Sequence, residues 1–223
     1  MDPLWSLLML FGSALCHQIP ERSYILGDLQ MPLCARCIGI HVGFLLSSVL
    51  LWTGSRRFIS SMPGKKALSV LGAMTITGFI MALLSYGGIS GSDNFSRTIS
   101  GLLIGTPIPF VAVPLLNHIV FPGKNSRVLF ADLKDWTLPL SAFIIGSAVI
   151  LLATSSIVIF YIASILGIIG MIVLSFTILL LLLAVLTDKK GMSVRRRLAI
   201  AAVSCFAFLF ILAAIHNILL PQI

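Results

Sequence analysis

Charge is what this sequence lacks most. Only 10% of its 223 residues are Asp, Glu, Lys or Arg, against 58% hydrophobic. A soluble domain could not hide so much apolar surface, so the composition is that of an integral membrane protein. The net charge is +8. The basic residues nevertheless fall in short blocks between apolar runs and form no basic face, which excludes nucleic acid as a partner. Internal repeats are missing, and low-complexity segments occur only within the apolar runs. The first ten residues carry Asp2 and no Lys or Arg, which argues against a cleaved signal peptide. Ser13-Ala14-Leu15-Cys16 is a poor lipidation box, because large Leu15 stands where a small residue is wanted. The first apolar segment is expected to be retained.

What is present is apolar runs. Seven span, or nearly span, a bilayer: 3–17, 33–54, 67–86, 98–121, 136–153, 157–186 and 198–220. The expected fold is therefore an all-α integral membrane bundle of seven transmembrane helices, a single domain over residues 1–223. The first run is short, with a rise of only about 22 Å against a hydrocarbon core of about 30 Å. Residues 137–186 are uncharged throughout and too long for one span. The turn is expected at Thr154-Ser155-Ser156, with Gly167–Gly170 as the alternative. Pro107, Pro109 and Pro114 must bend or break the fourth segment. Loops 2, 4 and 6 hold twelve Lys and Arg, whereas loops 1, 3 and 5 hold three. This alternation makes the N-terminus cytoplasmic, the C-terminus external and loops 1, 3 and 5 external. The expected location is the cell membrane, multi-pass, with the lipid bilayer as partner.

Cys16-His17-Gln18 and Pro32-Leu33-Cys34-Ala35-Arg36-Cys37 gather three of the four cysteines in external loop 16–41. Pro32 suits the first position of the second helix. Cys34, Cys37 and His41 would then share one stripe. Two thiols at CxxC spacing can chelate a metal or close a disulfide. Cys16 adds a third sulfur and His17 or His41 a nitrogen, so the metal-ligand candidates are Cys16, His17, Cys34, Cys37 and His41. Zinc or another transition metal fits such a set. A disulfide suits the oxidising side, and plain buried thiols are the third alternative.

Arg22, Arg36 and Arg97 lie outside, against the positive-inside trend. They either pair with Glu21, Asp28 and Asp93 in salt bridges that tie loops 1 and 3, or grip an anion beside the cysteines. Asp93 is placed to cap the helix one turn before Arg97. His216, at the outer end of the last helix, is either a plain interfacial histidine or part of the site. His118 reads as a packed polar residue. Loop 4, with Asp132, Lys134, Asp135 and Trp136, reads as a membrane-surface anchor. Gly39/Gly43 and Gly101/Gly105 are small-residue pairs that would let the second and fourth helices approach closely.

Cys16-His17-Gln18, Arg22-Ser23, Gly27 and Cys34-Ala35-Arg36-Cys37-x-Gly39 resemble the signature of the domain of unknown function 2085 family. A weaker echo follows at Asp93, Arg97 and Gly101. The resemblance implies a small prokaryotic polytopic membrane protein with its cysteine motif near the start, and it brings no activity. From the residues themselves, the leading expectation is a metal-dependent enzyme acting on an anionic or lipid-borne substrate. In it Arg22 and Arg97 clamp the anion, Asp93 acts as acid/base or orienting group, and Arg36 and His216 serve in cofactor binding. The second expectation is a quinone-linked thiol oxidoreductase. It lacks the usual second cysteine pair, since Cys205 lies deep in the last segment. The third is a carrier or receptor without catalysis, suggested by the broken fourth segment. Loops 1 and 3 and the end of the last helix are expected to converge on one pocket.

Overall fold

The structure is a computed structural model and describes residues 3–53, 56, 58–87, 93–120, 127–187 and 192–219. Asp2, and Arg57, Lys124, Lys189 and Lys190 of the loop count, lie outside the described residues. Among the described residues eight α-helices follow in chain order: α1 Pro3–Ser13, α2 Ala35–Trp52, α3 Lys65–Tyr86, α4 Asn94–Gly105, α5 Ile108–Val120, α6 Thr137–Leu151, α7 Ile157–Thr187 and α8 Val194–Leu219. A two-residue hairpin, β1 Ile25–Leu26 and β2 Leu29–Gln30, interrupts the first loop.

Among the described residues six helical segments are long and apolar enough to cross a membrane, with α4 and α5 counted as one. The all-α membrane bundle is as expected. The seventh apolar segment, α1, is helical for 11 residues, a rise of about 16 Å. It is wedged against α7 and α8. Trp5 stacks on Phe160 at 5.5 Å and meets Tyr161 edge-on at 4.9 Å. At its other end Ser13 Oγ accepts a hydrogen bond from Asn217 of α8 at 3.3 Å.

The prolines act where the fourth segment breaks. Pro107 and Pro109 cannot donate to the carbonyls of Leu103 and Gly105, and their rings crowd the preceding turn. The chain accordingly stops one helix at Gly105 and starts the next at Ile108. The turn between α6 and α7 is the 3₁₀ stretch Ala153–Ser155, at the first expected position.

α2 is the axis of the bundle, in contact with α4, α5, α6 and α7. Its closest neighbour is α4, and the glycine pairs are the reason. A Cβ added to Gly101 would lie 2.2 Å from the Arg36 carbonyl oxygen, and one on Gly105 2.0 Å from that of Ile40. From the other side, a Cβ on Gly39 would lie 2.5 Å from the Thr98 carbonyl oxygen. Backbone meets backbone here, which only glycine permits.

The far end of the bundle holds an ion-pair cluster that reading loop 4 as a surface anchor misses. Asp135 is fully buried. It takes Arg56 at 3.0 Å, Arg127 at 3.4 Å and the Phe130 N–H at 3.1 Å. Loops 2 and 4 are thereby locked together. A buried carboxylate needs this many donors to offset its lost hydration.

Candidate functional site

The site begins with a glutamine. Gln18 has φ +51, which turns the chain sharply after α1 and points its side chain back under the loop. Its Nε2 donates to the carbonyls of Met9 at 2.7 Å and Pro32 at 3.0 Å. Gln30 in turn donates to the Gln18 carbonyl. The end of α1 is thus clipped to the start of α2, and Gly12 packs directly on Pro32. Pro32 is not the first residue of α2. Its carbonyl is taken by Gln18, and Cys34 is the N-cap in extended conformation, φ −63 and ψ 159.

This clip brings the sulfurs together. The Cys34 N–H donates to Cys16 Sγ at 3.2 Å. The sulfurs of Cys16, Cys34 and Cys37 all lie within 4.8 Å of one another, and all three thiols are free. Cys16 is buried, and Cys34 and Cys37 are half-buried. Hydrogen bonds from the Cys16 and Cys37 thiols hold the Cys34 thiol well below its ordinary range. The backbone N–H groups of Cys37 and Arg36, at the start of α2, add to this. Cys16 moves the other way, pushed up to about 11 by its hydrogen bond to Cys34 and by burial. The cluster therefore carries its first negative charge on Cys34, the residue at the helix N-terminus.

The histidines do not join the sulfurs. His17 is exposed, with its ring 6.0 Å from that of His216, so loop 1 and the end of α8 do meet. His41 is buried inside α2, and its Nδ1 has no partner among the described residues. Neither falls in the group of potential ligand atoms, which among the described residues is the three cysteines alone. His118 is exposed at the opposite end, and Cys205 is buried in α8 with its Sγ 3.7 Å from the Ile172 carbonyl oxygen.

Two of the three arginines gather on one tyrosine. Arg22 lies over the Tyr86 ring at 5.3 Å and Arg36 at 4.8 Å. Arg36 Nε also donates to Ser100 Oγ at 3.3 Å. Arg97 is buried, feels both other guanidinium groups and the Cys34 sulfur, and donates to the Glu21 carbonyl at 3.3 Å. Among the described residues no carboxylate pairs with any of the three. The salt-bridge alternative therefore gives way to a different tie between loop 1 and α4. Asn94 Nδ2 donates to the Ser23 carbonyl at 2.9 Å, and the Tyr24 hydroxyl lies 2.8 Å from Thr98 Oγ1. Asp93 is exposed at the N-cap of α4 without a side-chain cap bond, and only its carbonyl is used, by the Arg97 N–H.

Tyr24, Tyr86, Asn94 and Thr98 are site residues that the sequence reading passes over. Tyr86 closes a 22-residue apolar helix and looks like an interfacial aromatic. Nothing in its surroundings in the chain points to arginines 50 and 64 residues away. Tyr24 does stand next to the Arg22-Ser23 pair, which was the available signal.

Residues 16–111 match the family model described as a predicted membrane protein, DUF2085. The match starts at Cys16 and takes in the thiol cluster, the three arginines, Tyr86 and the α2–α4 glycines. It ends in α5, so α6, α7 and α8 lie beyond it. An uncharacterized protein of Methanocaldococcus jannaschii is 28% identical over 110 residues, covering 49% of this chain and 68% of its own. No solved structure matches the chain.

Proposed function

We propose that the protein is a membrane enzyme with a three-cysteine metal centre facing the outside of the cell, acting on an anionic or lipid-borne substrate. One observation carries this reading: three free sulfurs within 4.8 Å of one another, next to three arginines that no described carboxylate neutralises. Three thiolates suit zinc or a similar transition metal and leave a fourth position open, the pattern of catalytic rather than closed structural sites. A metal held there supplies a Lewis acid at that open position. The chain's own residues supply the rest. Cys34, already favoured as thiolate, is the natural first ligand. Arg22, Arg36 and Arg97 present planar N–H forks suited to phosphate or carboxylate oxygens. Tyr86 keeps two of the forks facing one place by cation–π contact. Asp93, exposed beside Arg97, is free to orient water or accept a proton. His17 and His216 border the same end and complete the wall. The outward orientation rests on the distribution of Lys and Arg among the loops.

The same three thiols favour a second reading. One sulfur is favoured as thiolate beside two further thiols, which is also the starting state for thiol–disulfide exchange. A quinone-linked oxidoreductase would use it, with Cys16 or Cys37 as the second sulfur.

Elemental analysis of detergent-purified protein separates the two. The enzyme reading expects about one transition metal per chain. It is lost in Cys16→Ser, Cys34→Ser and Cys37→Ser, and kept in Cys205→Ser. Folded protein without metal, whose cysteines cycle between reduced and oxidised states with the cellular quinone pool, would establish the second reading instead.

A further inference from the structure

At the end of the bundle away from the cysteines, α2, α5, α7 and α8 enclose a cavity of about 720 Å³. That is the size of a small-molecule site, and its walls are almost wholly apolar, with Leu45, Val113 and Phe176 among them. It opens sideways. Val49 and Trp52 of α2 and Leu198 of α8 line it and are also exposed on the outside of the bundle, Trp52 by 68%. In a membrane protein that outside is the bilayer, and a tryptophan at the end of a helix marks the headgroup level.

The polar side chains of the cavity are already occupied, with one exception. Thr177 donates to the Val173 carbonyl, Ser48 to that of Phe44 and Asn117 to that of Ile59. Arg197 is different. It is only 5% exposed and lines the cavity. Its Nη2 donates to the Thr187 carbonyl at 3.1 Å, capping the end of α7. Among the described residues its buried Nε has no partner. Capping thus uses one of five guanidinium donors. Among the described residues no carboxylate pairs with Arg197. A permanent charge in such a place calls for an anion. Arg195 and Arg196, on the same turn of α8, are exposed and extend the positive field towards the bilayer surface.

We propose that this cavity is a binding site for an anionic phospholipid taken from the surrounding leaflet. An acyl chain enters between α2 and α8 to fill the apolar space, and the phosphate pairs with Arg197 in the cavity wall. The occupant must have both parts. A neutral apolar molecule leaves the guanidinium unpaired, and a free phosphate leaves the cavity empty of carbon. This site is separate from the thiol centre in position and in chemistry, and half of its lining residues come from α7 and α8.

Native mass spectrometry of the delipidated, detergent-purified chain tests it, with phosphatidylglycerol and phosphatidylcholine of identical acyl chains as probes. Phosphatidylglycerol is expected to bind one per chain and roughly tenfold more tightly than phosphatidylcholine, whose choline cation offsets the phosphate charge that Arg197 would pair with. Arg197→Gln is expected to erase that preference. Val113→Trp, which fills the cavity and leaves Arg197 in place, is expected to abolish retention of both lipids. If Arg197→Gln does not fold, because the α7 cap is lost, the wild-type preference and Val113→Trp decide. Equal binding of the two lipids by wild type, or undiminished binding by Val113→Trp, overturns the site. Metal content of Val113→Trp should equal wild type, so failure of this proposal leaves the thiol centre untouched, and the reverse.

Discussion

Gln18 is the residue on which the site depends most without touching any chemistry. Its side-chain amide satisfies two buried carbonyls, Met9 and Pro32, that are 23 residues apart in the chain and belong to the two arms carrying Cys16 and Cys34. Removing it takes one hydrogen bond from each carbonyl, at a cost of about 1–3 kcal/mol in all. Gln18→Ala should therefore lower the thermal midpoint of the purified protein and also open the cysteine cluster. The second effect is the diagnostic one. Cys16 is 4% exposed in the intact fold, and its reaction with a maleimide in the variant should be several-fold faster. An unchanged rate would mean that the hairpin and Tyr24 hold the loop without the glutamine.

At the level of elements, the α2–α4 pair positions the whole site. Cys34 and Cys37 open one helix, Arg97 lies on the other, and the glycines set the distance between them. Gly105 has the least room, because its missing Cβ would sit 2.0 Å from a carbonyl oxygen of α2. Gly105→Ala must push the helices apart and is expected to cost about 1–3 kcal/mol as overpacking. Gly72, in α3, is a matched control with no heavy atom within 4 Å of its ideal Cβ. Gly72→Ala should be neutral or stabilise by about 1 kcal/mol through helix propensity. Thermal unfolding in one detergent, followed by intrinsic fluorescence, compares the two. A Gly105→Ala protein as stable as Gly72→Ala would refute close packing as the role of the pair. The break between α4 and α5 belongs to the same scale. It ends α4 at Gly105, one turn beyond the site, and lets α5 turn towards the far end, where Phe110 joins a separate core with Leu51, Leu71 and Leu129.

For the molecule as a whole, the open matter is which end faces out. Twelve of fifteen Lys and Arg lie in loops 2, 4 and 6, and that bias is the ground for proposing that the thiol end faces outside. Two exposed positions report on it. Asp28 sits at the tip of the β1–β2 hairpin, and Leu133, 86% exposed, sits at the other end. In intact cells Asp28→Cys should gain labelling by a membrane-impermeant maleimide above the background of the native cysteines, and Leu133→Cys should gain none until the cells are opened. The opposite pattern would put the thiol centre in the cytoplasm and the Arg197 cavity in the outer leaflet.

The sequence by itself determined the class of the molecule, seven apolar segments with the first of them short, a proline-broken fourth segment and a turn at 154–156 as the first of two positions. These are local matters: apolar run length, the missing N–H of proline and the polarity of a few consecutive residues suffice to set them. It also marked the CxxC with Cys16 as the place of interest, because polar and reactive residues stand out in an apolar chain. Only the tertiary structure decided which of those residues meet. His41 shares a stripe with the cysteines on paper yet is buried further down α2. Asp135 looks like a surface acid and is buried under two arginines. Arg22 and Arg36 find a tyrosine instead of carboxylates, and Arg197 finds a cavity. Each outcome depends on contacts between residues far apart in sequence, up to the 204 positions that separate Ser13 from Asn217. Such contacts are set by how whole helices pack, which no stretch of the chain encodes alone.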